Sequence, residues 1–207
     1  MVLKNGVIVD FNETQKLMIG SIVPRPIAFV STISKDGNNN VAPFSYFNGV
    51  CSNPPTVMFA PARRGWDGKE KDTLTNIRDN NEFVINMVSE SFAEKMVKCS
   101  TDFDPNIDEF EISGLTPESS NKVLPPRVKE SKISLECKLD QIIEIGSGEA
   151  GSGFVVIGTV VLFHIDDDIY ENGHILLDKL EPLGRLAGNW YTRPTDKIKI
   201  TRQVKPK

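Results

Sequence analysis

Small, apolar and β-branched positions follow one another from Val23 to Ser52, and the rest of the chain can be laid out from this stretch. Ile27, Phe29 and Ile33 alternate with Ala28, Val30 and Thr32, which predicts a strand with little exposed surface. Asp36-Gly37 supplies a hairpin turn, because glycine takes φ > 0 at no steric cost. Residues 40–47 return as a second strand and run into a polar loop ending at Ser52. Asn53-Pro54-Pro55 breaks the chain, and residues 56–60 read as a third strand. A helix is predicted over residues 74–80, with Asp72 or Thr73 as its cap and Leu74 and Ile77 facing inward. Residues 83–88 form a short apolar strand. Ser91 and Glu94 have the spacing of a capping box, with Phe92, Met96 and Val97 as the apolar face of the following helix.

Beyond Thr101 the periodicity is lost. Residues 101–126 are acidic and irregular, and read as an excursion that serves as a lid or a subunit contact. Ile133, Leu135, Cys137 and Leu139 then alternate with polar residues in a strand over residues 131–145. A glycine-rich turn over residues 146–153 follows. Residues 154–165 are almost continuously apolar, which predicts a strand buried on both faces. Residues 174–177 are a last short strand, residues 183–191 are punctuated by glycine, and the basic tail from Lys197 is expected to fray. Residues 1–22 read as an extended lead-in with one short strand or helix. Strands dominate, with two or three helices inserted. The expectation is one domain over residues 1–207, a closed β-barrel with helical decorations.

Composition narrows the function. A net charge of −4 over 207 residues disfavours a nucleic-acid-binding barrel, which would need a concentrated basic face. No apolar run has the length of a membrane span. The N-terminal residues lack the apolar core and cleavage site of a signal peptide. Three widely spaced cysteines argue against a disulfide framework and fit a reducing cytoplasm.

Two places carry candidate chemistry. The strand ends of the first hairpin are small and polar (Ser31, Thr32, Ala42, Ser45, Asn48, Ser52), which would let a flat ligand approach the backbone; on this stretch alone an ordinary hairpin in a barrel wall is the favoured reading. Arg63, Arg64, Lys69, Lys71, Asp72 and Thr73 precede a predicted helix, where free N–H groups and basic side chains suit a phosphate. On these residues alone a solvated basic loop with an ordinary cap is the favoured reading, because such clusters are common on surfaces. His164 and His174, Asp166 to Asp168 and Cys51 each fit a structural role better than a catalytic one, and no Ser-His-Asp or Cys-His arrangement stands out.

Three segments in order resemble the flavin reductase-like, FMN-binding split-barrel family: PRPIAFVST with NVAPFSYFNGVCSNPP, KDTLTNIRDNNEFVINMV, and LGRLAGNWY. The resemblance implies a mainly β fold, a six-stranded Greek-key split barrel with added helices, assembled as a homodimer with one FMN per subunit near the interface. It places Ser31 and Thr32 at the flavin or its ribityl-phosphate. Ala42, Pro43, Phe44, Ser45 and Asn48 would face the isoalloxazine, with Ser52 as a further contact. Lys71 and Thr73, with Arg64, would hold the phosphate. His164, Gly188 and Tyr191 fall near motif positions without an assigned contact. The implied activity is an oxidoreductase reduced by NADH or NADPH that passes electrons to free flavin, a ferric complex or a partner protein. The alternative is a flavoredoxin-like electron carrier with no efficient NAD(P)H oxidation.

Overall fold

The computed structural model describes residues 2–4, 7–9 and 11–203. A helix, α1 (Phe11–Ser21), leads into the first hairpin, β1 (Ala28–Ile33) and β2 (Asn39–Phe44). Then come β3 (Phe47–Ser52), β4 (Pro55–Phe59), α2 (Asp72–Asn80) and β5 (Glu82–Met87). Short helices α3 (Ala93–Lys98) and α4 (Glu109–Ser113) follow, and the long hairpin of β6 (Ile133–Ile145) and β7 (Gly153–Ile165) completes the sheet. No helix among the described residues is long and apolar enough to cross a membrane.

These strands form one 7-stranded sheet in the order β2-β1-β5-β6-β7-β4-β3, with each neighbouring pair antiparallel. β2 and β3 are joined by only Ser45 and Tyr46, yet they stand on opposite edges. The sheet must therefore curl until its edges nearly meet, a barrel split at that seam. The seventh strand is the stretch read from sequence as a polar loop. Residues 47–52 pair with β4 along their length, and the second strand of the first hairpin stops at Phe44.

Ala28, Val30, Phe59, Phe83, Ile85, Phe154 and Val156 fill the barrel, with Leu74 and Ile77 of α2 packed onto them. Ile27, Phe29 and Val41 project the other way, onto Phe92, Met96 and Phe110. The first hairpin is thus covered on both faces, as its pattern predicts. Several details differ. Asp72 and Thr73 lie inside α2, and Lys71 holds the cap position with no side-chain hydrogen bond. The 3-10 turn Glu90–Phe92 leads into α3 without a capping box, and Val97 is exposed. β7 is buried on one face only: Phe154, Val156 and Val160 point inward, whereas Val161 and Phe163 are exposed. Glu136, at a polar position of β6, is completely buried, because residues of the 101–132 segment fold over it. The Lys197 tail has no regular structure through residue 203, and residues 204–207 lie outside the described residues.

Candidate functional site

Where β2 meets the start of α2, a network of uncharged polar side chains locks strand to helix. The Asn40 amide donates to the Thr32 and Thr73 hydroxyls at 3.2 and 3.0 Å, and Asn76 donates to Thr32 at 3.0 Å. All four residues are buried. The network fixes the first turn of α2 against the sheet, so Lys71, Asp72 and Thr73 border a defined place.

That place is a narrow cavity of about 40 Å³, lined by Asn40, Ala42, Pro43, Arg64, Lys71, Thr73, Ser100, Asp102 and Glu109, among others. Its charges are arranged in pairs. Lys71 Nζ lies 2.6 Å from Asp102, and Arg64 Nη2 lies 3.0 Å from Asp72. The Arg64 Nε is buried and has no hydrogen-bond partner. Burial works against the charge of Asp102, but Lys71, the Trp66 indole and Arg64 outweigh it and hold the carboxyl below the usual aspartate range. Burial pushes Asp72 up, against the pull of Arg64. Glu109 accepts from the Val41 amide at 3.2 Å, and burial raises its pKa to about 7. Cys99 also lines this cavity, but burial raises its thiol to about 11, which removes it as a nucleophile at neutral pH.

A second cavity of about 470 Å³ adjoins the first, sharing Pro43 and Ser100 as walls. Ile27, Ser45, Met96, Val97, Arg185, Asn189 and Tyr191 complete its lining. This volume is in the range of small-molecule sites. The far wall comes from a tight hairpin in which Gly184–Arg185 pairs with Tyr191–Thr192. Gly188 turns it at φ +58°, a backbone conformation that glycine adopts without strain. The Arg185 guanidinium stacks on the Tyr191 ring, 4.5 Å from its centroid.

Six of the residues singled out from sequence thus line one or other of these two neighbouring cavities: Ala42, Pro43, Ser45, Arg64, Lys71 and Thr73. Three others stand behind its walls. Ser31 is fully buried, donates to the Pro126 carbonyl at 2.5 Å and accepts from Asn86. Thr32 serves the Asn40–Asn76 network. Phe44 faces the barrel interior, 5.1 Å from Phe59 between ring centroids. Asn48 and Ser52 are exposed on β3 and line neither cavity. His164 meets Glu136 away from both. Residues that sequence reasoning missed come from the excursion and its approach, namely Ser100, Asp102 and Glu109, and from the C-terminal hairpin, Arg185 and Asn189. An isolated acidic residue in an irregular segment carries no periodic signal, whereas LGRLAGNWY did mark the hairpin.

A family model described as "Flavin reductase like domain" matches residues 19–184. A protein of Aquifex aeolicus is 43% identical over 192 residues, which cover 92% of this chain and 95% of that one. The crystal structure of nitrilotriacetate monooxygenase component B from Bacillus cereus matches with a TM-score of 0.89 at 35% identity, covering 97% of this chain and 98% of that one. A Pseudomonas fluorescens 2-nitrobenzoate 2-nitroreductase matches with a TM-score of 0.84 at 32% identity, covering 98% and 96% respectively.

Proposed function

The chain belongs to the flavin reductase-like family, and from that premise we propose how it works: as an FMN-binding oxidoreductase it holds the flavin ring in the larger cavity and the phosphate in the narrow one. The observation that carries this reading is Arg64, whose buried Nε is unpaired, lining the narrow cavity together with Lys71 and the first turn of α2, next to a ring-sized cavity that shares Pro43 and Ser100 with it. A phosphate dianion fits this donor set, since it offers acceptors to a guanidinium, an ammonium, a hydroxyl and free helix amides at once.

The bound flavin supplies the hydride-accepting chemistry, with NADH or NADPH as the reductant. The residues of the chain bind, orient and shield. Lys71, Arg64 and Thr73 grip the phosphate. Pro43 and Ser45 would form one wall for the ring, and Tyr191, braced by Arg185, another. Met96 and Val97 make part of the lining apolar and limit water. Pro43 has no N–H, and the Val41 amide is taken by Glu109, so polar contact with the ring falls largely to Ser45 and its neighbours. The electron acceptor would be free flavin, a ferric complex or a partner protein. Purified protein should be yellow, and anaerobic NADH or NADPH should bleach it rapidly. Bleaching by dithionite alone would favour the electron-carrier alternative, and protein with no affinity for flavin would defeat both.

Asp102 competes for the cation that the phosphate needs. Asp102→Asn should therefore tighten FMN binding about two- to fivefold, the scale of a partly exposed ion pair, without affecting riboflavin. Isothermal titration with both ligands checks this, and unchanged FMN affinity would contradict it.

The assembly is proposed to be a homodimer. Ile143 and Ile145 on β6, Val161 and Phe163 on β7 and Val50 on β3 are exposed apolar side chains, Val50 to 55%. Such a surface is the kind that oligomers cover. Light scattering should give a dimer at micromolar concentration, and Phe163→Lys should shift it toward monomer. A monomeric parent chain would contradict the proposal.

A further inference from the structure

Arg25 is only 4% exposed, and its side chain is held entirely by neutral acceptors. Its Nη1 donates to the Ile19 and Ile22 carbonyls at 2.7 Å each, and its Nη2 to the Leu186 carbonyl at 3.0 Å. Its Nε donates to the Ser45 hydroxyl at 3.2 Å. Among the described residues no carboxylate forms an ion pair with it. Arg63 and Arg64, also largely buried, have Glu144 and Asp72 respectively. A buried cation without a counter-charge is costly, so its retention calls for a reason. The carbonyls at the end of α1 account for Nη1, because the negative end of a helix receives a cation. They do not account for Nε, which is aimed at a residue of the cavity wall.

The same wall carries a second cation. Arg185 lines the cavity, and its backbone is bridged to Arg25 in both directions, at 3.0 and 2.8 Å. Burial, and to a lesser extent Arg185, lower the pKa of Arg25, but a guanidinium stays charged at any physiological pH. Because Ser45 Oγ accepts from Arg25, the hydroxyl proton remains available to donate into the cavity.

We propose that Arg25 is a positioning residue that works through Ser45, and that its unneutralised charge makes the larger cavity favour the reduced, anionic form of flavin over the oxidised form. This rests on the flavin reading above. Reduction delivers a hydride, two electrons and one proton, from the nicotinamide, or the equivalent electrons from dithionite with a proton from water. The ring system thereby gains one negative charge if it takes up no second proton. A positive charge behind the wall stabilises the more negative state, whichever edge of the ring faces it.

The test compares affinities for oxidised FMN and for dithionite-reduced FMN under anaerobic conditions, together with the midpoint potential of the bound flavin. In Arg25→Gln the reduced form should lose affinity about tenfold more than the oxidised form, a fall of about 30 mV for a two-electron couple. Arg25→Lys should retain most of the parent potential. Ser45→Ala, which leaves the α1 contacts of Arg25 in place, should shift the ratio about threefold in the same direction, and it decides the matter if Arg25→Gln does not fold. Equal weakening of both oxidation states in Arg25→Gln, or an unchanged ratio in Ser45→Ala, overturns the inference alone. A parent chain that binds neither form overturns the flavin reading and the inference with it.

Discussion

Lys71→Ala will bind FMN about 10- to 150-fold more weakly than the parent chain, while riboflavin binding changes little. The range follows from the roughly 1.5–3 kcal/mol of a charge-assisted hydrogen bond at about 1.4 kcal/mol per tenfold. Only FMN carries the phosphate, so the difference between the two ligands isolates the contact. The neighbourhood argues for a large effect. Asp102, Asp72 and Glu109 all border the same narrow cavity, so removing Lys71 leaves Arg64 as the one cation among the lining residues against three carboxyl groups. Asp102 would lose its partner at 2.6 Å and become an uncompensated anion beside the phosphate. Arg64 remains, paired with Asp72 through Nη2 and with its buried Nε unpaired, which sets an upper limit on the loss. Equal weakening of FMN and riboflavin in a fluorescence-quenching titration would remove Lys71 from the phosphate site.

A second large effect lies away from the cavity, at Glu136. Its carboxylate is fully buried and accepts from the Asn121 and Lys122 amides at 2.7 and 2.6 Å, with His164 Nε2 at 2.5 Å. It ties residues 121 and 122 of the excursion to β6. Glu136→Ala leaves two backbone donors without an acceptor and empties their surroundings, and should cost about 3–5 kcal/mol in urea unfolding. Burial alone would raise the carboxyl, but the two amides and His164 outweigh it and hold its pKa below the ordinary glutamate range. The sign of the pH dependence follows. The contribution is fully present above the unfolded value, near 4.3 for glutamate, and is lost as pH falls through the lower folded value. The gap between parent and Glu136→Ala should therefore be widest near neutrality and shrink in acid. A gap that stays constant down to pH 3 would contradict the assignment.

How far the sequence could be read depended on the range of the interactions involved. The first hairpin, α2 and the two long strands follow from local alternation, turn chemistry and apolar spacing, and the structure places them where expected. Glu136 was illegible because its acceptor role depends on a segment that crosses the sheet from elsewhere in the chain. Alternation along β6 marks Ser134 and Glu136 as outward, which they are, but it says nothing of what then covers them. Phe154 to Ile165 misleads in the opposite sense: its continuous apolar run fits two buried faces, yet within one chain only one is covered. The small polar residues of the first hairpin divide between two roles. Ala42 and Ser45 line the space, while Ser31 and Thr32 tie strands to Asn86, Asn40 and Asn76 behind it. Sequence spacing alone does not separate a hydroxyl offered to a ligand from one consumed by the fold.

The most direct test of the account is a crystal structure of the chain grown with FMN. The expected result places the phosphate within hydrogen-bond distance of Lys71 Nζ and Arg64 Nε, with Asp102 turned away from Lys71, and lays the ring between Ser45 and Tyr191. A flavin bound anywhere else, or a 470 Å³ space closed by the protein's own side chains, would contradict it.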